Sequence, residues 1–570
     1  MKKALALLLA ATLLILTFAG CSGSGTTVTT AATTQATTAA AAAATTAAAA
    51  TTTAAKTTAA AATTAAAQAT TTAAVTLPDD KFAGYPMDCL DETLVLYNAS
   101  NGMALNAAYT EFSESPWHSG VSERVGVNIE WRAPAAGADS NQALSLLLAS
   151  GELPDMIYAG GLSANAGDYI NDEYIVVLND YLPQWAPSLN AFLAENPDYA
   201  RAIRTDKGEY YCFPFFREDL WLGTYEGPMI RQDLLDQAGK DVPVTIADWD
   251  DVLYSFIDLV EIPFGTWGGT VFNDVFTNAF GFRMDYFVGE DGKTQYGYAV
   301  ESYADFLALI KKWYADGIID PDFATNDRAG LKTKVLQSLV GATRTSGGTL
   351  SGYLKEMETL NVKDVWTATQ YPVMNEGDTV NFVQGETYFI GLGGVITTAC
   401  KNVELACRVY DYFFTEEGIE YMNFGAEGNI MEYDAEGKPY FTKAALNDPE
   451  GFNTILSRYQ GNSANGLGFM LVDMYRQKTA QVACDAIDTW YYGANHDSRW
   501  PATTPTSAEQ SATASAMTQL GTYCGEMYYK FIMGEEPLEN FDAYLEQLNA
   551  LGLQDVLAIK DAQLERYNNR

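Results

Sequence analysis

Thr93-Leu94-Val95-Leu96-Tyr97 reads as a buried strand, an apolar run too short for a helix. A helical stretch from Met103 to about Ser113 follows it. Val125, Val127, Ile129 and Trp131 then alternate with smaller or polar residues, the period of a second strand. Asn141 to Ser150 sets Leu144, Leu147 and Leu148 on one helical face, and Gly151 suits its stop. Asp155-Met156-Ile157-Tyr158 makes a third strand. Strand, helix, strand, helix, strand is the order of a mostly parallel sheet covered by helices. Such sheets take ligands beyond the carboxyl ends of their strands, where Tyr158 and Ala159-Gly160-Gly161 stand.

The rest of the chain repeats this theme with more helix. Tyr303, Phe306, Leu307, Ile310, Trp313 and Tyr314 keep a helical period, and Gly317 follows at a stop. Val403, Ala406, Cys407, Tyr410 and Phe414 form another apolar face. Ser507 and Gln510 resemble a capping box ahead of a helix of about six turns that carries Leu520, Cys524, Met527 and Phe531.

Composition removes several functions. A formal net charge of −38 opposes a nucleic-acid partner, which needs clustered cations. Only His118 and His496 are available as imidazoles, so histidine-rich zinc sites and Ser-His-Asp hydrolases lose their basis. Besides Cys21 there are Cys89, Cys212, Cys400, Cys407, Cys484 and Cys524, with no C-x-x-C pair among them. Their even number permits disulfides, whereas Cys407 and Cys524 lie on apolar faces that suit buried thiols.

The N-terminus carries its own message. Lys2 and Lys3, then the apolar run Leu5 to Ala19, make a secretory signal over residues 1–20, too short to span a bilayer. Phe18-Ala19-Gly20-Cys21 resembles a bacterial lipobox, with Phe18 in place of the usual Leu, and implies lipidation of Cys21. Residues 21–75 are almost all Thr, Ala, Gly and Ser and cannot repay the entropy of folding. They read as a disordered tether with an end-to-end distance of about 40 Å.

Several blocks, taken in order, resemble the extracellular solute-binding proteins of family 1, the lipoprotein receptors of ABC sugar importers. The large oligosaccharide-type members are the most similar. The blocks are Ala149-Ser-Gly-Glu-Leu-Pro-Asp155, Met229-Ile-Arg-Gln-Asp-Leu-Leu-Asp236, Lys312-Trp-Tyr-Ala-Asp-Gly-Ile-Ile-Asp-Pro-Asp-Phe323, Tyr410-Asp-Tyr-Phe-Phe-Thr-Glu-Glu-Gly418 and Phe424-Gly-Ala-Glu-Gly428. The resemblance implies an α/β fold, a two-lobe periplasmic-binding-protein-like flytrap of type II, with a helix-rich C-terminal part. It implies a first lobe of residues 88–215 and 385–425 and a second of 216–384 and 426–570. It further implies an oligosaccharide as ligand, an ABC permease as partner, no catalysis, and a monomer anchored on the extracellular face of the cell membrane. Some relatives carry a calcium loop before a Glu-Ile-Pro segment. Here Phe256-Ile257-Asp258-Leu259-Val260 precedes Glu261-Ile262-Pro263, and one acid cannot supply six to eight oxygens, so neither metal nor cofactor is expected. Gly289-Glu290-Asp291-Gly292 fits an exposed hairpin turn instead.

Sugar rings pack their C–H faces on aromatic rings, and their hydroxyls need polar partners. Trp221, close to the expected lobe crossover, is the first candidate, although core or lobe packing would serve it equally well, followed by Trp267 in a glycine-flanked loop, Trp490 before Tyr491-Tyr492, and Tyr158. Arg217, Arg344 and Glu427 are the polar candidates, although an ion pair would serve Arg344 and hinge geometry Glu427 equally well. Trp249 and Trp313 fall on apolar helical faces and belong to the core. Two other functions stay open on the residues alone: a surface glycoside hydrolase or polysaccharide lyase, which two carboxylates could serve, and a peptide receptor on the same scaffold.

Overall fold

The computed structural model describes residues 82–570 except 100–110, 136–137, 269–272, 462–465 and 497–499. The signal, Cys21, the tether and most of the expected helix from Met103 lie outside the described residues; Phe112–Glu114, at that helix's end, form a 3₁₀ turn.

Fourteen strands are described. The first seven are β1 (Cys89–Asn98), β2 (Val127–Arg132), β3 (Met156–Ala159), β4 (Phe213–Arg217), β5 (Glu226–Arg231), β6 (Ile262–Gly265) and β7 (Tyr286–Val288). They are followed by β8 (Thr294–Tyr296), β9 (Val340–Ser346), β10 (Trp366–Ala368), β11 (Phe389–Ile396), β12 (Met431–Tyr433), β13 (Pro439–Phe441) and β14 (Gly468–Met470). Six of them form one sheet in the order β14-β4-β11-β3-β1-β2, and four form a second in the order β10-β5-β9-β6.

Direction within the sheets shows how they are joined. In the first sheet β1, β2 and β3 run parallel, and β14 runs parallel to β4, while β11 is antiparallel to both β3 and β4. In the second, β9 and β6 are parallel and β5 opposes both β9 and β10. The reversed strands are those that receive the chain from the other sheet: β5 comes directly after β4, and β11 after β10. A strand entered at the carboxyl edge of a sheet must run backwards. The carboxyl edges of both sheets therefore face the crossovers.

The helices form where the apolar periods place them. Ser140–Ser150 is capped by Asp139 and stops at left-handed Gly151. Ser302–Ala315 buries Tyr303, Phe306, Leu307, Ile310 and Trp313, and Gly317 adopts a φ of 77° beyond its end. Trp249 and Trp313 are buried in one aromatic cluster with Phe276, as expected of core residues. Val125, expected on the second strand, instead closes the helix Pro116–Val125. The Gly289–Gly292 turn joins β7 to β8, the hairpin expected there. All six described cysteines are buried free thiols.

Gly468–Met470, expected in the second lobe, hydrogen-bonds along Phe215–Arg217 as an edge strand of the first sheet. The chain then returns toward the second sheet, where the helix Gln481–Tyr492 packs on β5 and β10.

Candidate functional site

Three segments cross between the sheets: 218–225, 369–388 and 471–480. Side chains tie them together. Arg217, at the end of β4, pairs with Glu386 and donates from Nη1 to the Thr387 carbonyl at 3.3 Å. The Tyr225 hydroxyl donates to the other Glu386 oxygen at 2.9 Å, and burial pushes this phenol far above its ordinary range. Gln384 Oε1 accepts the backbone N–H groups of Tyr225 and Glu226 at 2.9 and 3.2 Å. On β9, Arg344 pairs with Glu226 at 2.5 Å. These contacts satisfy backbone and charge that the crossing strands would otherwise leave bare.

The third crossing segment is fastened similarly. Glu218 accepts the Val472 N–H at 2.8 Å. The Trp221 indole N–H donates to Asp488 at 2.7 Å, Arg476 lies 4.2 Å over its ring, and Arg476 pairs with Asp488 at 2.5 Å. Trp221 is 2% exposed, so it fastens the crossing rather than presenting a face to ligand.

Other expected ligand residues also have structural employment. Trp490 is fully buried, its indole resting where a Cβ on Gly227 of β5 would stand 2.5 Å away, and it donates to the Pro228 carbonyl at 3.3 Å. A sugar cannot reach that ring in this conformation. Tyr158 is buried, and its hydroxyl donates to the Gly466 carbonyl. Arg217 and Arg344 are neutralised within the crossovers. Glu427 is exposed in the turn between the helix Glu416–Phe424 and β12.

Trp267 differs from these. It is half-buried just beyond the carboxyl end of β6, in a loop held by Gly268 N–H donating to the Asn326 carbonyl at 2.9 Å and Asn326 Nδ2 donating to the Thr266 carbonyl at 2.8 Å. The neighbouring loop is anchored below by Lys334, which pairs with buried Asp320 at 2.8 Å and with Asp322 at 2.9 Å. Arg328, the first residue of the helix Arg328–Leu336, lies 4.3 Å over the Trp267 ring. Tyr353, on the helix Gly347–Leu360, is close enough for that guanidinium to oppose the upward push of burial on its phenol. Sequence reading missed Arg328 and Tyr353, because nothing in their local spacing marks two helices that meet only in the fold.

Sheet order separates hinge from opening. In the first sheet β4 and β11 lead into the crossovers while β3, β1 and β2 extend away; in the second β10 and β5 do so while β9 and β6 extend away. The loop after β6, with Trp267, and Gly160-Gly161 after β3 each stand at the carboxyl end of a strand whose sheet edge meets the crossovers. Arg328 lies against Trp267 there, and among the described residues no group of three His, Cys, Asp or Glu side chains is arranged to hold a metal ion. No described helix is long and apolar enough to cross a membrane.

Comparison with known proteins accords with this geometry. A family model described as bacterial extracellular solute-binding protein matches residues 103–420, more than half of the chain. The fructooligosaccharide ABC transporter substrate-binding protein FusA of Streptococcus pneumoniae serotype 4 is 23% identical over 480 residues, covering 78% of this chain and 86% of FusA. Lipoprotein LipO of Bacillus subtilis is 26% identical over 232 residues, 38% of this chain and 44% of LipO. Among solved structures, the alginate-binding protein AlgQ2 without calcium ion superposes with a TM-score of 0.68 at 22% identity, covering 85% of this chain and 99% of AlgQ2. A solute-binding protein of Bifidobacterium longum infantis, associated with an HMO-binding ABC transporter, gives 0.69 at 16% identity over 84% and 99%. The last two likenesses concern fold, that of the type II periplasmic binding proteins.

Proposed function

The chain belongs to the bacterial extracellular solute-binding proteins, and on that premise we propose that it captures an oligosaccharide between two hinged lobes and delivers it to an ABC permease. The observation that carries this reading is the pair of sheets whose carboxyl edges face one another across three crossovers. Such an arrangement closes on a ligand by rotation about a few backbone segments. Binding then needs no covalent step: a ring stacked on Trp267 and hydroxyls satisfied by neighbouring polar groups supply the affinity.

In this reading the first lobe comprises 88–215, 385–425 and the continuation to 470, and the second comprises 216–384 and the chain from 481. The relatives named as a transporter substrate-binding protein and as a lipoprotein support the permease and the lipid on Cys21. The protein works as a monomer, anchored by that lipid on the extracellular face and held off the membrane by residues 21–75.

Isothermal titration against a panel of neutral and acidic oligosaccharides, with chromatography of the recovered glycan, tests the function. Tight binding with every glycan recovered intact is expected. Cleaved glycan would establish an enzyme instead, and binding of peptides but no saccharide would move the protein to another ligand class. Trp267→Ala is expected to weaken saccharide binding by about 1–2 kcal/mol without a matching loss of melting temperature.

A further inference from the structure

We propose that Arg328, held against the Trp267 ring, reads a carboxylate on the cargo, so that the ligand is an acidic oligosaccharide. The inference rests on the oligosaccharide reading above and narrows it.

The chain has 72 Asp and Glu against 34 Lys and Arg, and most of its described guanidinium groups are ion-paired, while Arg204 and Arg283 donate to the Ala200 and Val383 carbonyls. Arg217, Arg231, Arg344, Arg408 and Arg476 each have a carboxylate partner within 3.0 Å. Arg328 is exposed and makes no ion pair among the described residues; its recorded contact is the Trp267 ring at 4.3 Å. The acid beside it, Asp327, is occupied in capping its own helix, accepting the Gly330 N–H at 2.7 Å. One turn on, Lys332 is paired with Glu356 at 2.5 Å, so neither of these charges answers the guanidinium.

Stacking uses the face of a guanidinium and leaves its in-plane N–H donors to another group. Two parallel N–H groups match a carboxylate in a bidentate pair, stronger than bonds to neutral hydroxyls. The indole fixes the direction of the fork and lies beside it as an apolar surface for a sugar ring. A uronic or sialic acid residue combines those two features, a C–H face and a carboxylate, on one ring.

The test is calorimetric titration of the full-length protein with oligogalacturonate, oligomannuronate and sialyllactose, and with the neutral sugars cellotriose, kestose and lactose. Wild type, Arg328→Gln and Arg328→Lys are compared at 50 and 500 mM salt. At least one acidic sugar should bind tenfold or more tightly than every neutral one and weaken with salt. Arg328→Gln should cost it tenfold or more, at least fivefold more than it costs any neutral sugar, and Arg328→Lys should restore part of the loss. Preference for a neutral sugar, or acidic binding that Arg328→Gln alters less than twofold, overturns the inference while leaving the transport reading standing. Failure to bind any saccharide overturns that reading as well.

Discussion

His118 shows how far burial governs single residues here. Its ring lies between Phe112, Trp117 and Trp131, with centroids 4.5 to 4.8 Å away, and neither nitrogen has a hydrogen-bond partner among the described residues. Burial pushes this imidazole down to about 3, from an ordinary value of 6.5. The folded state therefore holds it neutral while the unfolded chain protonates it. Its contribution is intact above about pH 6.5 and is lost as pH falls toward 3, by about 1.4 kcal/mol per unit. Asp411 works in the opposite sense: burial raises it to about 6 despite Arg408, so its contribution grows as pH drops from there toward 3.8. Denaturant unfolding of wild type and His118→Phe between pH 7.5 and 4.5 separates the two, with the difference constant down to about pH 6.5 and the variant gaining on wild type at each step below it. A constant difference would show that His118 does not titrate across this range. At Trp490, burial against Gly227 predicts that Trp490→Ala costs about 3–5 kcal/mol of stability. Trp490→Phe should lower the melting temperature while saccharide affinity stays within twofold; a loss of affinity without loss of stability would return Trp490 to the ligand.

At the scale of elements, the long helix Ser507–Met533 illustrates what local chemistry specifies. Its capping box is Thr506 with Glu509, both reciprocal bonds present, one residue earlier than the Ser507–Gln510 pair expected from the sequence. Thr506→Ala is expected to cost about 1 kcal/mol. Ser507→Ala, which removes only an exposed bond to Asp168, should cost a few tenths; thermal unfolding of the pair decides between the two caps. Both pairs satisfy the same pattern, and only backbone geometry chooses between them. The same limit recurs through the chain. The helix of Trp313 was legible because burial on one face leaves a periodic trace, and the strands around Leu94 and Ile157 because a short apolar run marks a buried strand. Trp221 and Trp490 were legible as important aromatics, with packing and ligand roles left open between them. Their partners Asp488 and Pro228 lie 267 and 262 residues away. Arg328 and Trp267 likewise meet only because the parallel pairing of β6 with β9 aligns their loops. Spacing along the chain carries no record of such meetings.

For the whole molecule, the backbone crossovers are supplemented by a contact made through side chains of the C-terminal helices. Asp206, in the turn before β4, receives Arg566 at 2.6 Å and Arg570 at 2.7 Å from the C-terminal helix. Arg566 also grips Glu509 with both terminal nitrogens, at 2.7 and 2.8 Å, and Gln510 donates to the Ala164 carbonyl at 2.7 Å. The helices Ser507–Met533 and Leu553–Asn568, whose apolar faces share a core with Tyr303 and Phe306 of the second lobe, are thereby clasped to the first. Arg570 has a side chain only 1% exposed, so removing its acid leaves a charge that water cannot reach. Asp206→Asn should therefore cost about 3 kcal/mol locally, in the manner of other broken buried pairs. Because Arg566 retains Glu509, the loss should fall on the end of the C-terminal helix rather than on the core. Hydrogen exchange is expected to quicken about a hundredfold in Leu553–Asn568 and hardly at all in Ser302–Ala315. Unchanged exchange in the C-terminal helix would mean that its apolar face holds it without the Asp206 contact.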